Sequence, residues 1–457
     1  MAQCLVNRGV ARKVEVSEFL NPKLKLLADP FLIPNMDAAV ERLWKARENN
    51  ERLLIYGDYD VDGVSSTALL TEMLTELGWT VQPYLPGRFD DGYGLSAEAL
   101  EKCIEQFETD VVLAVDCGST AVEAIEFLNE RQIDILVLDH HQVSDPPPKP
   151  LAMVNPQLSD DYPNFQELCS VGLAFKLAHA LVKRGRQEGL QKERDLDLRQ
   201  YLDLVALGTV ADLVPLTGEN RKLVRFGLEQ LGETDRPGVV ALKNVANVSK
   251  PVTVFNVGFQ LGPRLNAAGR MDNPDASLNL LLAKDRYEAE KAAETLNNHN
   301  DERRKIERDI STQAVESVRK RFDPKNDFVI VEGNMEWHLG VIGIVASRVM
   351  REFYRPTFIL ASDGDGWKGS ARSIEGFDLA EAMRGCDDLL NDHGGHAMAA
   401  GVSVKPGRLD AFRERINEIA KKTIPPDMFQ PPLKLDAGTG LKAGFEKAYG
   451  GSGSDQF

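Results

Sequence analysis

At 457 residues, with 43% apolar and 27% charged side chains, the chain has an ordinary globular composition, which excludes wholesale disorder. Its formal charge of −16, from 54 basic against 70 acidic residues, excludes a generic basic nucleic-acid coat or membrane-surface protein. A nucleic-acid enzyme stays possible, because divalent metals held by carboxylates reverse the local field. Length alone predicts two to four domains. No apolar run approaches the ~20 residues of a membrane span, and no basic-then-apolar leader opens the chain, so a soluble cytoplasmic protein without a membrane role is expected. Cys4, Cys103, Cys117, Cys169 and Cys386 are scattered, without a CxxC pair. That fits a reducing compartment and argues against structural zinc.

In chain order, short apolar runs alternate with helical patterns from about 52 to 214. Strands are expected over 53–56, 81–85, 111–115 and 133–138, with helices over 64–77 and 121–130. This alternation predicts an α/β fold with a parallel sheet covered by helices on both faces. Pro146, Pro147 and Pro148 predict an extended loop, and helices over 172–183 and 198–210 follow. The stretch 286–321 is highly charged and lacks Gly and Pro, with Leu296, Ile306, Ile310, Ala314 and Val318 at roughly helical spacing. It predicts one solvated connector helix about 50 Å long. A second α/β unit is expected beyond it. Its strands fall over 328–331, 357–360, 367–372 and 398–404, and its helices over 341–351 and 379–390. The Gly/Ser-rich stretch 450–454 reads as a flexible tail.

Chemistry is expected where the strands end. The first strand runs into Asp58, Asp60 and Asp62, the third into Asp116, and the fourth into Asp139-His140-His141; Asp212 closes an apolar helix. Three carboxylates within five residues repel one another, and divalent cations relieve that repulsion. Oxygen with imidazole suits manganese or magnesium. Taken singly, each piece has a plainer explanation. Asp-x-Asp-x-Asp also begins calcium loops, although Glu72 falls at position fifteen rather than twelve. Asp116 after a strand also suits a helix cap, and one of two adjacent histidines can be interior. Acids or imidazoles at three strand ends together predict a two-metal site.

The triplet Asp139-His140-His141 with Tyr56-Gly57-Asp58-Tyr59-Asp60-Val61-Asp62-Gly63 resembles the DHH phosphoesterase superfamily. Within it, the runs Pro263-Arg264-Leu265-Asn266-Ala267-Ala268-Gly269-Arg270, Trp337-His338-Leu339-Gly340 and His393-Gly394-Gly395-His396 resemble the RecJ-like single-strand-specific exonucleases. The resemblance runs from about residue 5 to 432. It implies a parallel-sheet DHH domain joined by a long helix to a smaller α/β DHHA1 domain. The expected division is an N-terminal segment (1–50), the catalytic domain (51–225), a helical region with the connector (226–322), the DHHA1 domain (323–425) and a tail (426–457). RecJ-like chains usually continue into an oligonucleotide-binding barrel, and the tail is too short to hold one.

Carried onto this sequence, the resemblance implies metal ligands at Asp60, Asp62, Asp116, His140 and Asp212, with Asp58 and His141 beside them. It implies two divalent cations, Mn2+ before Mg2+. It also implies a 5′-phosphate pocket from Arg88, Ser370 and Arg372. Arg264, Asn266, Arg270, His338, Gly394, Gly395 and His396 are further substrate contacts, although Arg264, Asn266 and Arg270 are equally suited to joining domains by salt bridges. Tyr93, Phe259 and Trp337 are candidate stacking aromatics, and Arg303, Arg304, Lys305 and Arg308 candidate backbone contacts. The activity so implied is 5′ to 3′ hydrolysis of single-stranded DNA to mononucleotides in repair and recombination, by a monomer partnered with single-strand-binding protein and a RecQ-type helicase. A small-nucleotide phosphodiesterase or oligoribonuclease is the alternative, and an inactive replication scaffold a third.

Overall fold

Five short strands build the first sheet of this computed structural model, which describes residues 2–87, 94–159, 165–271, 273–364 and 366–438; four are largely buried apolar runs, and the remaining one, at a sheet edge, is partly exposed. In chain order the elements are α1 (Met36–Glu48), β1 (Arg52–Gly57), α2 (Val61–Leu77), β2 (Thr80–Tyr84), α3 (Ala97–Gln106), β3 (Val111–Val115), α4 (Val122–Glu130), β4 (Asp134–Leu138) and β5 (Ala152–Val154). Helices α5 (Ser170–Gln187), α6 (Leu202–Ala211), α7 (Gly218–Glu233) and α8 (Gly262–Met271) follow, and then α9 (Arg286–Arg321). The strands lie in the order β2-β1-β3-β4-β5, and every pairing is parallel. Near-continuous burial along β1, β3 and β4 is what a sheet covered on both faces requires. Strand β5 escaped the sequence reading because three residues after a proline-rich loop carry no periodicity.

The chain divides into two units, residues 23–312 and residues 1–22 with 313–457. The first 22 residues therefore group with the C-terminal part, while α1 belongs with the first sheet. The second unit holds a mixed sheet in the order β6-β7-β8-β10-β9, from β6 (Ile330–Gly333), β7 (Thr357–Asp363), β8 (Gly366–Arg372), β9 (Leu390–Gly395) and β10 (Ala399–Val404). Its helices include α10 (Ile342–Phe353), α11 (Leu379–Arg384) and α12 (Leu409–Thr423), beside two short ones at Ala2–Asn7 and Lys13–Leu20. The helix expected over 379–390 ends at Arg384: Gly385 caps it, one 3-10 turn follows at Asp387–Leu389, and the chain re-enters the sheet as β9. Among the described residues no helix is long and apolar enough to cross a membrane. Arg88, Tyr93 and the chain beyond residue 438 lie outside the described residues.

In the first unit α2 is buried on nearly every face, against the sheet and against α5 and α6. The side chain of Asp60 caps its start by accepting from the backbone N–H of Asp62 and Gly63. A buried ion pair fastens the segment before α1 to two helices. Lys176 on α5 donates to Glu219 on α7 at 2.9 Å and to the Ala28 carbonyl at 2.7 Å, and the Ala28 N–H donates to Glu219 at 2.6 Å. Removing one member leaves the other charge buried and uncompensated. Lys176→Met is therefore expected to lower unfolding free energy by about 3–5 kcal/mol in urea titration; a loss under about 1 kcal/mol would show that water reaches the pair.

Candidate metal centre

A parallel sheet of order 2-1-3-4-5 reverses its winding between β1 and β3, and the crevice beyond the carboxyl ends of those strands is where such sheets place ligands. Asp58 follows β1, Asp116 follows β3, and Asp139-His140-His141 follow β4. Asp62 enters the crevice from the first turn of α2, and Asp212 from the C-cap of α6. Asp58, Asp62, Asp116 and Asp139 are each at most 3% exposed.

Backbone N–H groups hold these acids in place. Asp62 accepts from Ser170 N at 2.7 Å and Val171 N at 2.9 Å, so the first turn of α5 grips both of its oxygens. Gly208 on α6 makes room for it, because a Cβ there would stand 2.8 Å from Asp62 Oδ1. Gly63 does the same for Asp58, whose carbonyl oxygen would be 2.4 Å from a Cβ at 63. Asp116 sits at φ 64, in the left-handed region that Asp and Asn tolerate better than other side chains, and Ser170 Oγ donates to its Oδ1 at 2.9 Å. Ser170 thus serves two acids at once, Asp62 by its N–H and Asp116 by its hydroxyl.

Asp139 is a support for its neighbours. Its carboxylate accepts from Ser119 N, His140 N and His141 N and lies 2.7 Å from His141 Nδ1. Burial opposes its ionisation, but His141 and these donors outweigh burial and hold its pKa below the usual range. Burial likewise disfavours a charged His141, yet the hydrogen bond and charge of Asp139 win and raise it to about 9. His140 goes the other way: burial and then the charge of His141 lower it to about 4, leaving a neutral imidazole with a free lone pair.

The remaining acids are held against their own repulsion. Burial, followed by the charge of Asp60, raises Asp58 to about 8 and Asp62 to about 7. Burial, then Asp62, raises Asp212 to about 8, and burial with Asp60 and Asp62 drives Asp116 well upward. Asp58 Oδ1, Asp212 Oδ2 and His140 Nε2 are buried and have no hydrogen-bond partner. His140 Nε2 lies 3.6 Å from Asp116 Oδ1 and 3.7 Å from Asp212 Oδ2. Three groups bring one ligand atom from each member within 4.8 Å of the others: Asp58, Asp60 and Asp116; Asp116, His140 and His141; Asp62, Cys169 and Asp212. Asp116 belongs to two of them. Orphaned oxygens and a neutral imidazole converging on one crevice fit divalent cations, and the oxygen-rich donor set favours hard ions such as Mn2+ or Mg2+.

The expected cluster residues therefore converge, whereas the other candidates scatter. Ser370 and Arg372 are together on β8, with Arg372 Nη1 3.0 Å from Ser370 Oγ; Gly343 on α10 packs against both. His338 Nδ1 accepts from Gly340 N just before α10. Gly394 and Gly395 are strand residues of β9 at the sheet edge, and His396 opens the turn into β10. On α8, Arg264 donates to Gln260 O and Asn297 Oδ1, while Asn266 and Arg270 are half-buried. Trp337 is not a free stacking surface: it is 7% exposed, and its Nε1 donates to Gln313. On α9, Arg303 is spent on Glu307 and Asn300. Sequence reasoning missed Ser170 and the supporting role of Asp139. A serine at a helix start is too common a cap to mark its second, acid-orienting bond.

Comparison with known proteins gives the same outline. Residues 52–209 match the DHH family, N-terminal domain, and residues 326–422 match the DHHA1 domain. The single-stranded-DNA-specific exonuclease RecJ of Escherichia coli is 36% identical over 441 residues, 93% of this chain and 76% of that one. RecJ of Dickeya dadantii is 39% identical, over 90% and 73%. RecJ of Bacillus subtilis is 38% identical over 97% of this chain, which spans only 55% of that relative's length. The crystal structure of RecJ from Thermus thermophilus in complex with Mn2+ superimposes with a TM-score of 0.78 at 32% identity, over 92% of this chain and 58% of that one. A crystal structure of exonuclease RecJ bound to manganese gives 0.75 at 33% identity, over 86% and 96%.

Two outcomes follow from this geometry. Asp58, Asp62 and Asp212 bind protons more tightly folded than unfolded, so the metal-free protein takes up protons on folding, and its stability falls as pH rises from about 4 through 8. The metal-free melting temperature should therefore drop between about pH 5 and 8, and Mn2+ should reverse the drop in wild type but not in Asp212→Asn. A flat profile would mean that the acids do not crowd one another. Ser170→Ala keeps the N–H bond to Asp62 and removes only the hydroxyl on Asp116; Mn2+ affinity, followed by electron paramagnetic resonance, should weaken about tenfold. Unchanged affinity would reduce that hydroxyl to packing.

Proposed function

The chain belongs to the RecJ family, and from that membership we propose that it is a metal-dependent exonuclease that shortens single-stranded DNA from its 5′ end, releasing mononucleotides. The observation that carries the proposal is the convergence of buried, unpartnered Asp58 Oδ1, Asp212 Oδ2 and His140 Nε2 on the crevice beyond the strand ends. In this reading Asp60, Asp62, Asp116, His140 and Asp212 hold two divalent cations, Mn2+ or Mg2+, with Asp58 and His141 alongside. Cations bound there would offset the charge of the phosphate oxygens and lower the pKa of the water that attacks phosphorus.

The protein's own part is positioning and proton control. Asp62 is immobilised by two backbone donors and Asp116 by the Ser170 hydroxyl, so neither has to reorganise when substrate arrives. His141, kept protonated by Asp139, offers a donor to a phosphate oxygen. No separate strong base and no covalent nucleophile is required. In the second unit Arg372 beside Ser370 presents a guanidinium and a hydroxyl suited to a terminal phosphate. We assign that role to the pair, and further strand contacts to Arg88, Arg264, Asn266, Arg270, His338, Gly394, Gly395 and His396. Anchoring the terminal phosphate fixes which linkage is cut, and hence the polarity.

The test is a Mn2+-dependent digestion of single-stranded and duplex DNA labelled at either end, run beside Asp116→Asn. Asparagine tolerates the left-handed backbone at 116, so the variant should fold normally and lose cleavage to background. The expected result is mononucleotide release from the 5′ end of the single strand alone. Cleavage of dinucleotides without cleavage of long strands would replace the assignment with a small-nucleotide phosphodiesterase.

A further inference from the structure

The start of α5 brings more than backbone donors to the crevice. Cys169, the N-cap residue of that helix, is completely buried. A buried cysteine ordinarily fills a gap among apolar side chains. This one faces oxygen. Its Sγ lies 3.4 Å from Thr209 Oγ1 on α6. The same Sγ and one carboxylate oxygen each from Asp62 and Asp212 all lie within 4.8 Å of one another.

Three elements bring these atoms together from distant parts of the chain. Asp62 stands in the first turn of α2, Cys169 at the start of α5 and Asp212 at the C-cap of α6. Ser170 N and Val171 N, from the two residues after Cys169, fix the Asp62 carboxylate. Gly208 lets α6 close on both partners: a Cβ there would meet Asp62 Oδ1 at 2.8 Å and Val171 Cγ1 at 2.7 Å. The scattered cysteines show no such ligand set by their spacing; folding supplies it.

The neighbouring atoms are short of a positive partner. Asp212 Oδ2 is buried without a hydrogen-bond partner, and so is His140 Nε2, 3.7 Å from it. Sulfur, oxygen and nitrogen donors therefore border one another on this side of the crevice. Mn2+ and Mg2+ prefer oxygen and draw little from sulfur, whereas Zn2+ takes thiolate, imidazole and carboxylate together. The positive end of the 18-residue helix α5 adds to this by favouring a thiolate at its start.

We propose that Cys169, with Asp62 and Asp212, makes one side of the metal centre thiophilic, so that it captures Zn2+ in place of Mn2+ and silences the enzyme. This deepens the exonuclease reading and rests on the crevice being its metal centre. As sulfur binds the cation, the thiol proton leaves to solvent and the S–H electron pair becomes the ligand pair. Zn2+ so held occupies the Asp62 and Asp212 carboxylates that Mn2+ needs, and the two cations exclude each other.

The test is cobalt substitution and cation competition on the metal-free full chain, for wild type, Cys169→Ser and Cys117→Ser. Cys117 is the control: it is buried next to Asp116 in the chain, yet among the described residues it joins none of the three ligand groups. Co2+ should give wild type and Cys117→Ser a sulfur-to-cobalt charge-transfer band that Cys169→Ser lacks. Zn2+ should release Mn2+ from wild type, followed by the electron paramagnetic resonance of the freed ion. Cys169→Ser should lower Zn2+ affinity relative to Mn2+ affinity at least about tenfold. A wild type that binds Mn2+ but gives no band with Co2+ would overturn the proposal, whether or not Cys169→Ser folds. So would a band lost in Cys117→Ser, or Zn2+ and Mn2+ affinities that fall together in Cys169→Ser, which would make the sulfur a packing group. Failure of wild type to bind Mn2+ at all would bring down the metal-centre reading along with this inference.

Discussion

Everything in the first unit is arranged around mutual repulsion among buried carboxylates. Asp58, Asp62 and Asp116 share one crevice with almost no exposure to water, and Asp212 closes it. No arrangement of neutral side chains removes that repulsion. The fold instead fixes the acids with backbone donors, most clearly the start of α5 on Asp62, and leaves other oxygens unsatisfied. A polypeptide that bears such a cost gains by it only when positive charge arrives from outside. The two histidines divide that task, one neutral with an open lone pair and one held protonated by Asp139.

The sheet makes this crowding possible. Winding reverses between β1 and β3, so the chain leaves the sheet in opposite directions and opens a gap at the carboxyl ends of the strands. Glycines at 63 and 208 then let backbone and carboxylate approach more closely than any side chain would allow. In the second unit the mixed sheet carries a simpler device: an arginine and a serine two residues apart on β8, facing the same side of the strand.

Much of this was legible in the sequence because the signals were local. Apolar runs ending in Asp58, Asp116 and Asp139 marked both the strands and the crevice, and the charged stretch 286–321 emerged as α9. What stayed hidden depended on distant packing. Ser170 reads as a helix cap until the fold brings it to Asp116, 54 positions away. Trp337 reads as a stacking surface until Gln313 and the core claim it. The helix expected over 379–390 failed for a local reason that periodicity does not register: Gly385 stops it, and an acidic turn follows.

The division between the two units falls at residues 312 and 313, inside the 36-residue helix α9. Most multidomain chains join their parts through loops, where a protease finds extended backbone to bind. Here the backbone at the division is tied into a helical hydrogen-bond ladder, so cleavage there requires local unwinding first. Limited proteolysis should consequently nick this chain elsewhere and recover the two units still covalently joined, whatever their independence as folding bodies.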